Sequence, residues 1–352
     1  MFRAPSLRRT LAAALRDVGS AVAATRASAI RDLVEHVDAE RKSVVAALER
    51  ALSDEAPEVR AAAAVALADV RGAEVLAALL FAVEDDDPHV RQMAISALGE
   101  IGDSRAGERL RRALSDARPE VRFQAIIAFA RVASADDAID AIVAATADAD
   151  ANIRYIAIRC AEEWSLGAAR AMPPSVLDRA ASLAADADTS VRVAAAIVLA
   201  RSGDRRGEPI LLDVVRRRIV TNEAEDEAAA VELSGELGLE EALPHLERRA
   251  FGFLGFGEDK FAWQALVSLA RMGHARARAK IVRDLRSFFR DRRTLAVAAV
   301  GRARLAEAKH LVEAMCGDES RADAEAVALT LEQLGARAAS PDRGRPAQDF
   351  AP

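Results

Sequence analysis

The sequence contains few aromatic residues, few cysteines and no long apolar run. Only 4% of its 352 residues are aromatic although 51% are hydrophobic, so alanine and aliphatic side chains must form the core. No apolar run approaches the roughly 20 residues of a membrane-spanning helix. The first residues include arginines but lack the apolar stretch of a signal peptide, and Cys160 and Cys316 lie far apart. These absences predict a cytoplasmic protein with reduced thiols and no membrane span.

Motifs for catalysis and metal binding are also missing. The five histidines show no metal-ligand spacing; they are His36, His89, His245, His274 and His310. The sequence has no glycine-rich phosphate loop, no nucleophile elbow and no cysteine–histidine pair. We therefore expect no catalytic residue, no metal and no cofactor, and predict that the protein is not an enzyme.

One short motif, repeated five times, organises the chain. It reads Pro-Glu-Val-Arg at 57–60 and at 119–122, and its other copies keep the final arginine. These arginines are Arg60, Arg91, Arg122, Arg154 and Arg192, with steps of 31, 31, 32 and 38 residues. A fixed period of this length indicates a solenoid of stacked repeats.

Each repeat has the signals of two short helices. Asp87 and Pro88 form a helix start, and Val90, Ala94 and Leu98 fall on one helical stripe after it. Glycines at 99 and 102 mark the end of this helix, and a second amphipathic helix is predicted at about 105–114. Two helices and two loops account for the period.

Every repeat arginine has an aspartate six residues before it, as in Asp85 and Arg91. This regularity predicts a ladder in which each arginine contacts a loop carboxylate of its own or the adjacent repeat. A row of anion-binding arginines is the alternative. We favour the structural ladder, because a spacing present in every repeat serves the repeat, whereas a ligand site needs residues that differ between repeats.

The motif resembles that of HEAT-repeat proteins, specifically the phycobilisome-lyase-like HEAT subclass, and the best copy runs from Asp85 to Asp103. The resemblance implies an all-α fold, a right-handed α-solenoid of about ten stacked two-helix repeats. Some relatives are enzymes: deoxyhypusine hydroxylases bind iron through His-Glu dyads, and phycobilin lyases bind a bilin. No histidine here precedes a glutamate, and no motif identifies a bilin pocket. A lyase or oxidoreductase-like enzyme of this family is therefore retained only as an alternative.

The pattern divides the chain into segments of different regularity. We predict one solenoid over residues 1–337, with an N-terminal cap and a degenerate repeat at 1–52 and regular repeats at 53–204. Degenerate repeats with an aromatic loop follow at 205–337, because the repeat arginine is lost there. The last residues, 338–352, are rich in proline, glycine and charge, which predicts a disordered tail. The first helix is also a candidate for a membrane surface, although a cap is favoured.

The second half departs from the repeat in charge and in aromatic content. Residues 223–247 include nine acidic residues and no lysine or arginine, whereas residues 271–304 include eleven basic residues against two aspartates. Seven of the chain's fourteen aromatic residues lie between Phe251 and Phe289. Aromatic residues and arginine together are typical of the energetic centres of interfaces.

We therefore predict that the chain is a non-catalytic scaffold or adaptor. It is expected to bind a protein partner through the concave face of the solenoid and the aromatic and basic region at 251–290. The predicted site consists of Phe251, Phe253, Phe256, Trp263, Arg276, Lys280, Arg283, Phe289 and Arg290. Two alternatives stay open: the aromatic loop covers an imperfect junction between repeats, or the basic stretch at 271–304 contacts a nucleic-acid backbone. The net charge of −6 disfavours nucleic acid, and the partner's identity is not encoded in any motif.

Overall fold

A computed structural model describes residues 9–70, 72–167, 170–252 and 259–335 of the chain. Its described regions contain helices, turns and no strand, which confirms the all-α prediction. The helices form two compact units, which divide between Gly207 and Glu208. Phe253, Phe256 and the predicted tail at 338–352 lie outside the described residues.

The N-terminal unit contains twelve α-helices in its described part. They are α1 (Leu11–Asp17), α2 (Ala23–Leu33), α3 (Val37–Ala51), α4 (Pro57–Val70), α5 (Ala73–Ala82), α6 (Pro88–Ile101), α7 (Gly107–Ala113), α8 (Pro119–Val132), α9 (Ala135–Ala145), α10 (Ala151–Gly167), α11 (Pro174–Leu183) and α12 (Thr189–Arg201). From α2 to α11 they form five hairpins, and the first helix of each hairpin packs on the first helix of the next.

The C-terminal unit repeats this arrangement. Its described helices are α13 (Glu208–Val215), α14 (Ala224–Glu236), α15 (Leu243–Phe251), α16 (Ala262–Arg271), α17 (Ala275–Asp284), α18 (Arg290–Arg302), α19 (Lys309–Glu313) and α20 (Ala324–Gly335). Here α14, α16, α18 and α20 pack in sequence, and α15, α17 and α19 are the second helices of three hairpins.

The helix boundaries follow from local chemistry. The Asp87 carboxylate accepts hydrogen bonds from the backbone N–H groups of His89 and Val90, and Pro88 occupies the first turn of α6. The same helix ends at Gly102, whose φ of 71° is a left-handed conformation that glycine adopts without a steric penalty. The predicted start and stop signals of this repeat therefore have their expected geometry.

Small side chains let successive first helices approach closely. A Cβ atom at Gly99 of α6 would lie 2.8 Å from the Cβ atom of Ala128 in α8. At the equivalent contact in the C-terminal unit, a Cβ atom at Gly235 would lie 2.5 Å from Cα of Ser268. The Ser268 hydroxyl then donates to the carbonyl oxygen of Val231 at 2.9 Å. The core is accordingly built from alanine, valine, leucine and isoleucine, with few large aromatic side chains.

The structure bears on two predictions from the sequence, namely reduced cysteines and no membrane-spanning helix. Cys160 is buried, Cys316 is exposed, and both are free thiols. Burial raises the pKa of the Cys160 thiol to about 12, so this sulfur stays protonated. Across the described residues, the helices lack the length and apolar character that a bilayer crossing requires.

Candidate binding cleft

The repeat arginines of the N-terminal unit bond to the loop of their own repeat and to that of the next. Arg91 donates through Nε and Nη2 to the two carboxylate oxygens of Asp116, at 2.9 and 3.0 Å. Its Nη1 donates to the carbonyl oxygens of Asp85 and Asp86, at 2.8 and 3.1 Å. A planar guanidinium can satisfy all these acceptors at once, which an ammonium group cannot do.

The same bonds recur along the unit. The pairs are Arg26–Asp54, Arg60–Asp85, Arg91–Asp116, Arg122–Asp148 and Arg154–Asp186. Arg192 bonds to the carbonyl oxygens of Asp186 and Ala187 and to the Thr189 hydroxyl, without a carboxylate among the described residues. We call this series the arginine ladder. That it serves only the fold, and not a ligand, stays a prediction.

The ladder changes the pKa of its carboxyl groups. Hydrogen bonds from Arg122 and Arg154 hold the pKa of Asp148 and of Asp186, respectively, below the ordinary value of 3.8. Arg26 has the same effect on the pKa of Asp54. These carboxylates are therefore charged at neutral pH, and their ionised form stabilises the folded state.

The C-terminal unit contains a ladder position that the motif search missed. Arg293 donates through Nη1 to the carbonyl oxygens of Ser287 and Phe288, the same offsets as in the ladder. Its other nitrogens reach the carbonyl oxygens of Ser320 and Arg321 instead of a carboxylate. One sequence pattern could have identified Arg293 as a ladder position. It precedes Gly301 by eight residues, the same spacing that separates Arg91 from Gly99.

A second ladder position in this unit has its charge reversed. Glu227 stands where the alignment of repeats places the arginine, and it accepts a 2.7 Å hydrogen bond from Arg249 of α15. The Arg249 side chain is only 3% exposed and also donates to the carbonyl oxygens of Val214 and Val215. Arg249 also lies 3.6 Å from Asp259, so this buried cation is fully compensated.

A cleft of about 790 Å³ opens beside this network, among α15, α16, α17 and α18. Among the described residues, its lining includes Arg249, Lys260, Arg276, Lys280, Arg283 and Arg292 against the acidic residues Asp259 and Asp284, so basic side chains outnumber acidic ones there. Phe251, Trp263 and Leu295 provide apolar surface in the same lining. We refer to this feature as the basic cleft.

The cations of the basic cleft fall into two groups. Arg249 and Lys260 are both paired with Glu227, at 2.7 and 3.5 Å, and Lys280 is paired with Asp284 at 2.7 Å. Arg276, Arg283 and Arg292 are exposed, and no carboxylate of the described residues forms an ion pair with them. The guanidinium carbon of Arg276 lies 4.0 Å from the centre of the Phe251 ring, a cation–π contact that holds it in place.

The basic cleft brings together part of the predicted site. Phe251, Trp263, Arg276, Lys280 and Arg283 line it. Phe289 and Arg290 are exposed residues at the start of α18 and are not part of the lining; Arg290 donates to the carbonyl oxygen of Glu319 at 2.7 Å. Sequence reasoning missed Arg249 and Leu295, and it counted Arg292 only as one of many basic residues.

A smaller cleft, whose lining carries charges of both signs, lies among α14, α16, α18 and α20. It measures about 480 Å³ and is lined by acidic and basic side chains together. Arg271 pairs with Glu236 at 2.8 Å, and Arg302 pairs with Glu232 at 3.0 Å. Arg304 also belongs to the lining; it is exposed and forms no ion pair with a described residue, so one arginine of this cleft stays without a carboxylate partner.

Comparison with known proteins bears on the fold. The family model for HEAT repeats matches residues 46–129 and 76–162. No curated protein matches the sequence. The structure of the YibA protein of Escherichia coli is similar, with 20% identity and a TM-score of 0.55, over 73% of this chain and 91% of that chain.

Two further structures are similar to the chain. A chain in a homology model of the full-length AP-3 complex has 14% identity and a TM-score of 0.55, over 83% of this chain and 57% of that chain. The complex of CpcE and CpcF of phycocyanin lyase from a Nostoc species gives 19% identity and a TM-score of 0.43, over 70% of this chain and 96% of that chain. At these identities the likeness shows the fold alone, and the score for the lyase carries no argument about function. The HEAT-repeat model covers residues 46–162, about a third of the chain, and the stacked helical hairpins of the described residues are similar to those of HEAT-repeat proteins.

Proposed function

We propose that this protein is a non-catalytic scaffold or adaptor that binds a protein partner through the basic cleft. The observation that supports the proposal is the lining, where exposed arginines that form no ion pair with a described carboxylate stand beside Phe251 and Trp263. Arginine and aromatic side chains contribute most of the binding energy at typical protein interfaces. HEAT repeats present extended surfaces of this kind.

The similar structures are consistent with a role in assemblies, although they do not identify a partner. The similar AP-3 chain is part of a complex. A fold shared at 14% identity supports only the general role, because one scaffold carries many functions. The sites on this chain must therefore be tested directly.

The arrangement of the basic stretch at 271–304 favours a protein over a nucleic-acid backbone. Arg271, Arg278 and Arg302 each have a glutamate within salt-bridge distance. Arg293 is held by backbone carbonyl oxygens. A duplex requires many free cations along one face, and this stretch leaves only a few of its arginines available.

Affinity capture from the native cell tests the proposal. The full chain, a cleft variant with Arg283→Glu and Arg292→Glu, and a control variant with Arg31→Glu and Arg118→Glu are compared. Arg31 and Arg118 are exposed arginines of the N-terminal unit, so the control has the same change in net charge. We expect a protein that the full chain and the control capture equally and that the cleft variant loses. Equal capture by all three forms would contradict the proposal.

A further inference from the structure

Among the described residues, the basic cleft brings together more arginines without a carboxylate partner than the arginine ladder or the smaller cleft does. The ladder arginines each bind a carboxylate or several carbonyl oxygens, and the smaller cleft pairs Arg271 and Arg302 with glutamates and leaves Arg304 without an ion pair to a described residue. In the basic cleft, Arg276, Arg283 and Arg292 line one volume, and none of them forms an ion pair with a described carboxylate. Their exposed N–H groups can therefore donate to an acidic ligand.

The geometry of these arginines suits carboxylates. Arg276 stacks on Phe251 at 4.0 Å, so the ring covers one face of the guanidinium while its in-plane N–H groups stay free to donate. A stacked guanidinium loses little conformational entropy when it binds a planar acceptor with two oxygens. Asp284 neutralises Lys280 at 2.7 Å, which leaves the arginines as the available donors.

The apolar part of the cleft indicates a second property of the ligand. Leu295 is 55% exposed and lines the cleft together with Trp263 and Phe251. A small inorganic anion would leave this apolar surface in water, whereas a peptide that alternates acidic and apolar side chains would cover it. The cleft of about 790 Å³ can contain several side chains of such a peptide.

Nucleic acid fits the same surroundings less well. Residues 223–247 of the same unit include nine acidic residues and no lysine or arginine, and the whole chain has a net charge of −6. Acidic residues in the same unit as the cleft repel a polyanion, whose charge extends well beyond the cleft. They are less unfavourable for a short peptide whose few carboxylates all lie within the cleft.

We propose that the basic cleft binds an acidic peptide segment in which glutamate or aspartate residues flank a large apolar residue. This inference rests on the proposed function and specifies the chemistry of the partner. In the complex, carboxylates of the segment accept hydrogen bonds from Arg276, Arg283 and Arg292. The apolar residue packs against Trp263 and Leu295.

Fluorescence anisotropy with labelled peptides tests the proposal on the full chain. The probe is the peptide Glu-Glu-Phe-Glu-Glu-Leu-Glu-Glu, and its control is the same peptide with every glutamate replaced by glutamine. A single-stranded oligonucleotide of equal charge is the third probe. We expect the acidic peptide to bind at least about tenfold more tightly than the glutamine peptide, with an affinity that falls as salt rises.

Variants locate the binding. Arg283→Glu with Arg292→Glu should weaken binding of the acidic peptide at least about tenfold, because each substitution replaces an attraction with a repulsion. The control variant with Arg31→Glu and Arg118→Glu should bind the acidic peptide within about twofold of the unmodified chain. Both of its substitutions are in the N-terminal unit, whereas the basic cleft is in the C-terminal unit. Both variants change exposed side chains, and a matching circular dichroism spectrum and unfolding midpoint verify that they are folded.

Three results would overturn the proposal. They are equal binding of the acidic and the glutamine peptides, an equal loss in the two double variants, and binding of the oligonucleotide alone. If a captured cellular partner depends on the cleft but binds through a neutral or basic segment, the proposed scaffold function stands and the acidic class is wrong. If the peptide binds as expected but no cellular protein depends on the cleft, the acidic class stands and the scaffold function is wrong.

Discussion

The two units use arginine in different ways. In the N-terminal unit, arginines at a fixed repeat position bind the aspartate of the next loop, as Arg122 binds Asp148 at 2.8 Å. In the C-terminal unit that position holds Glu227 in one repeat, and arginines gather instead around a cleft where several lack carboxylate partners. The comparison teaches that the repeat arginines of the N-terminal unit are bound to protein acceptors, whereas Arg276, Arg283 and Arg292 of the cleft have no carboxylate partner among the described residues.

The largest expected effect concerns the close contacts that the two units share. Gly235→Ala places a Cβ atom 2.5 Å from Cα of Ser268 and disrupts the hydrogen bond from Ser268 to Val231, so we expect a loss of about 3 kcal/mol. Gly99→Ala in the N-terminal unit has no such hydrogen bond to lose, and we expect about 2 kcal/mol. Urea unfolding measures both.

Gly107→Ala is the control for these two substitutions. No atom lies within 4 Å of a Cβ atom at this position, which begins α7 with a helical backbone. We expect a change of less than about 0.5 kcal/mol in the free energy of unfolding. Because alanine favours a helix more than glycine does, helix propensity cannot cause a loss of stability at Gly107. A loss there as large as that at Gly235 would contradict close packing as the cause of the effect.

The next largest loss of stability should differ between ladder arginines that bind a carboxylate and those that do not. Arg122→Ala leaves the half-buried Asp148 carboxylate without its partner, and we expect a loss of about 2 kcal/mol. Arg192→Ala strands no carboxylate among the described residues and should cost about 1 kcal/mol. Urea unfolding followed by fluorescence of Trp164, in a Trp263→Phe background, measures the difference. Equal losses would mean that the carboxylate contributes nothing.

Acid should weaken the N-terminal unit more than the C-terminal unit. The pKa values of Asp54, Asp148 and Asp186 are lowered in the folded state, so their stabilisation is complete above the ordinary pKa of 3.8. It is lost as the pH falls from there through the folded-state pKa. Arg293 in the C-terminal unit binds carbonyl oxygens, which do not titrate.

Two single-tryptophan variants measure this difference. Trp263→Phe leaves Trp164 to report on the N-terminal unit, and Trp164→Phe leaves Trp263 to report on the C-terminal unit. We expect the urea midpoint reported by Trp164 to fall further between about pH 6 and about pH 3. A larger fall at Trp263 would contradict the role assigned to the ladder.

The smallest expected effect is on stability in the basic cleft. Arg283 is exposed and has no carboxylate partner among the described residues, so Arg283→Ala should change the free energy of unfolding by less than about 0.5 kcal/mol. The same substitution should weaken binding of the acidic peptide. If it instead destabilised the chain as much as Arg122→Ala, the contrast between the two units would be wrong.

Much of the fold was predictable because its signals are local. The motif around Arg91 predicts the helix cap, the helix and the position of the arginine that forms the ladder bond. Arg293 was missed because its helix has Arg290 and Arg292 in place of the usual proline and valine. The eight-residue spacing to Gly301 was the weaker signal that remained.

The basic cleft was only partly predictable. Phe251, Trp263 and Arg276 were selected because aromatic and basic residues cluster in the sequence, and they do line one volume. Arg249 was missed, because its role depends on Glu227, 22 residues earlier and in another helix. Conversely, Phe289 and Arg290 lie close in sequence to the lining but are not part of it.

The sequence alone determined the helices, their pairing into hairpins and the positions of the repeat arginines, because each depends on a short pattern that recurs at a fixed period. Only the tertiary structure decided which arginines find a carboxylate and which stay available. That outcome depends on how α15, α16, α17 and α18 pack, and therefore on which side chains from different helices come within hydrogen-bonding distance.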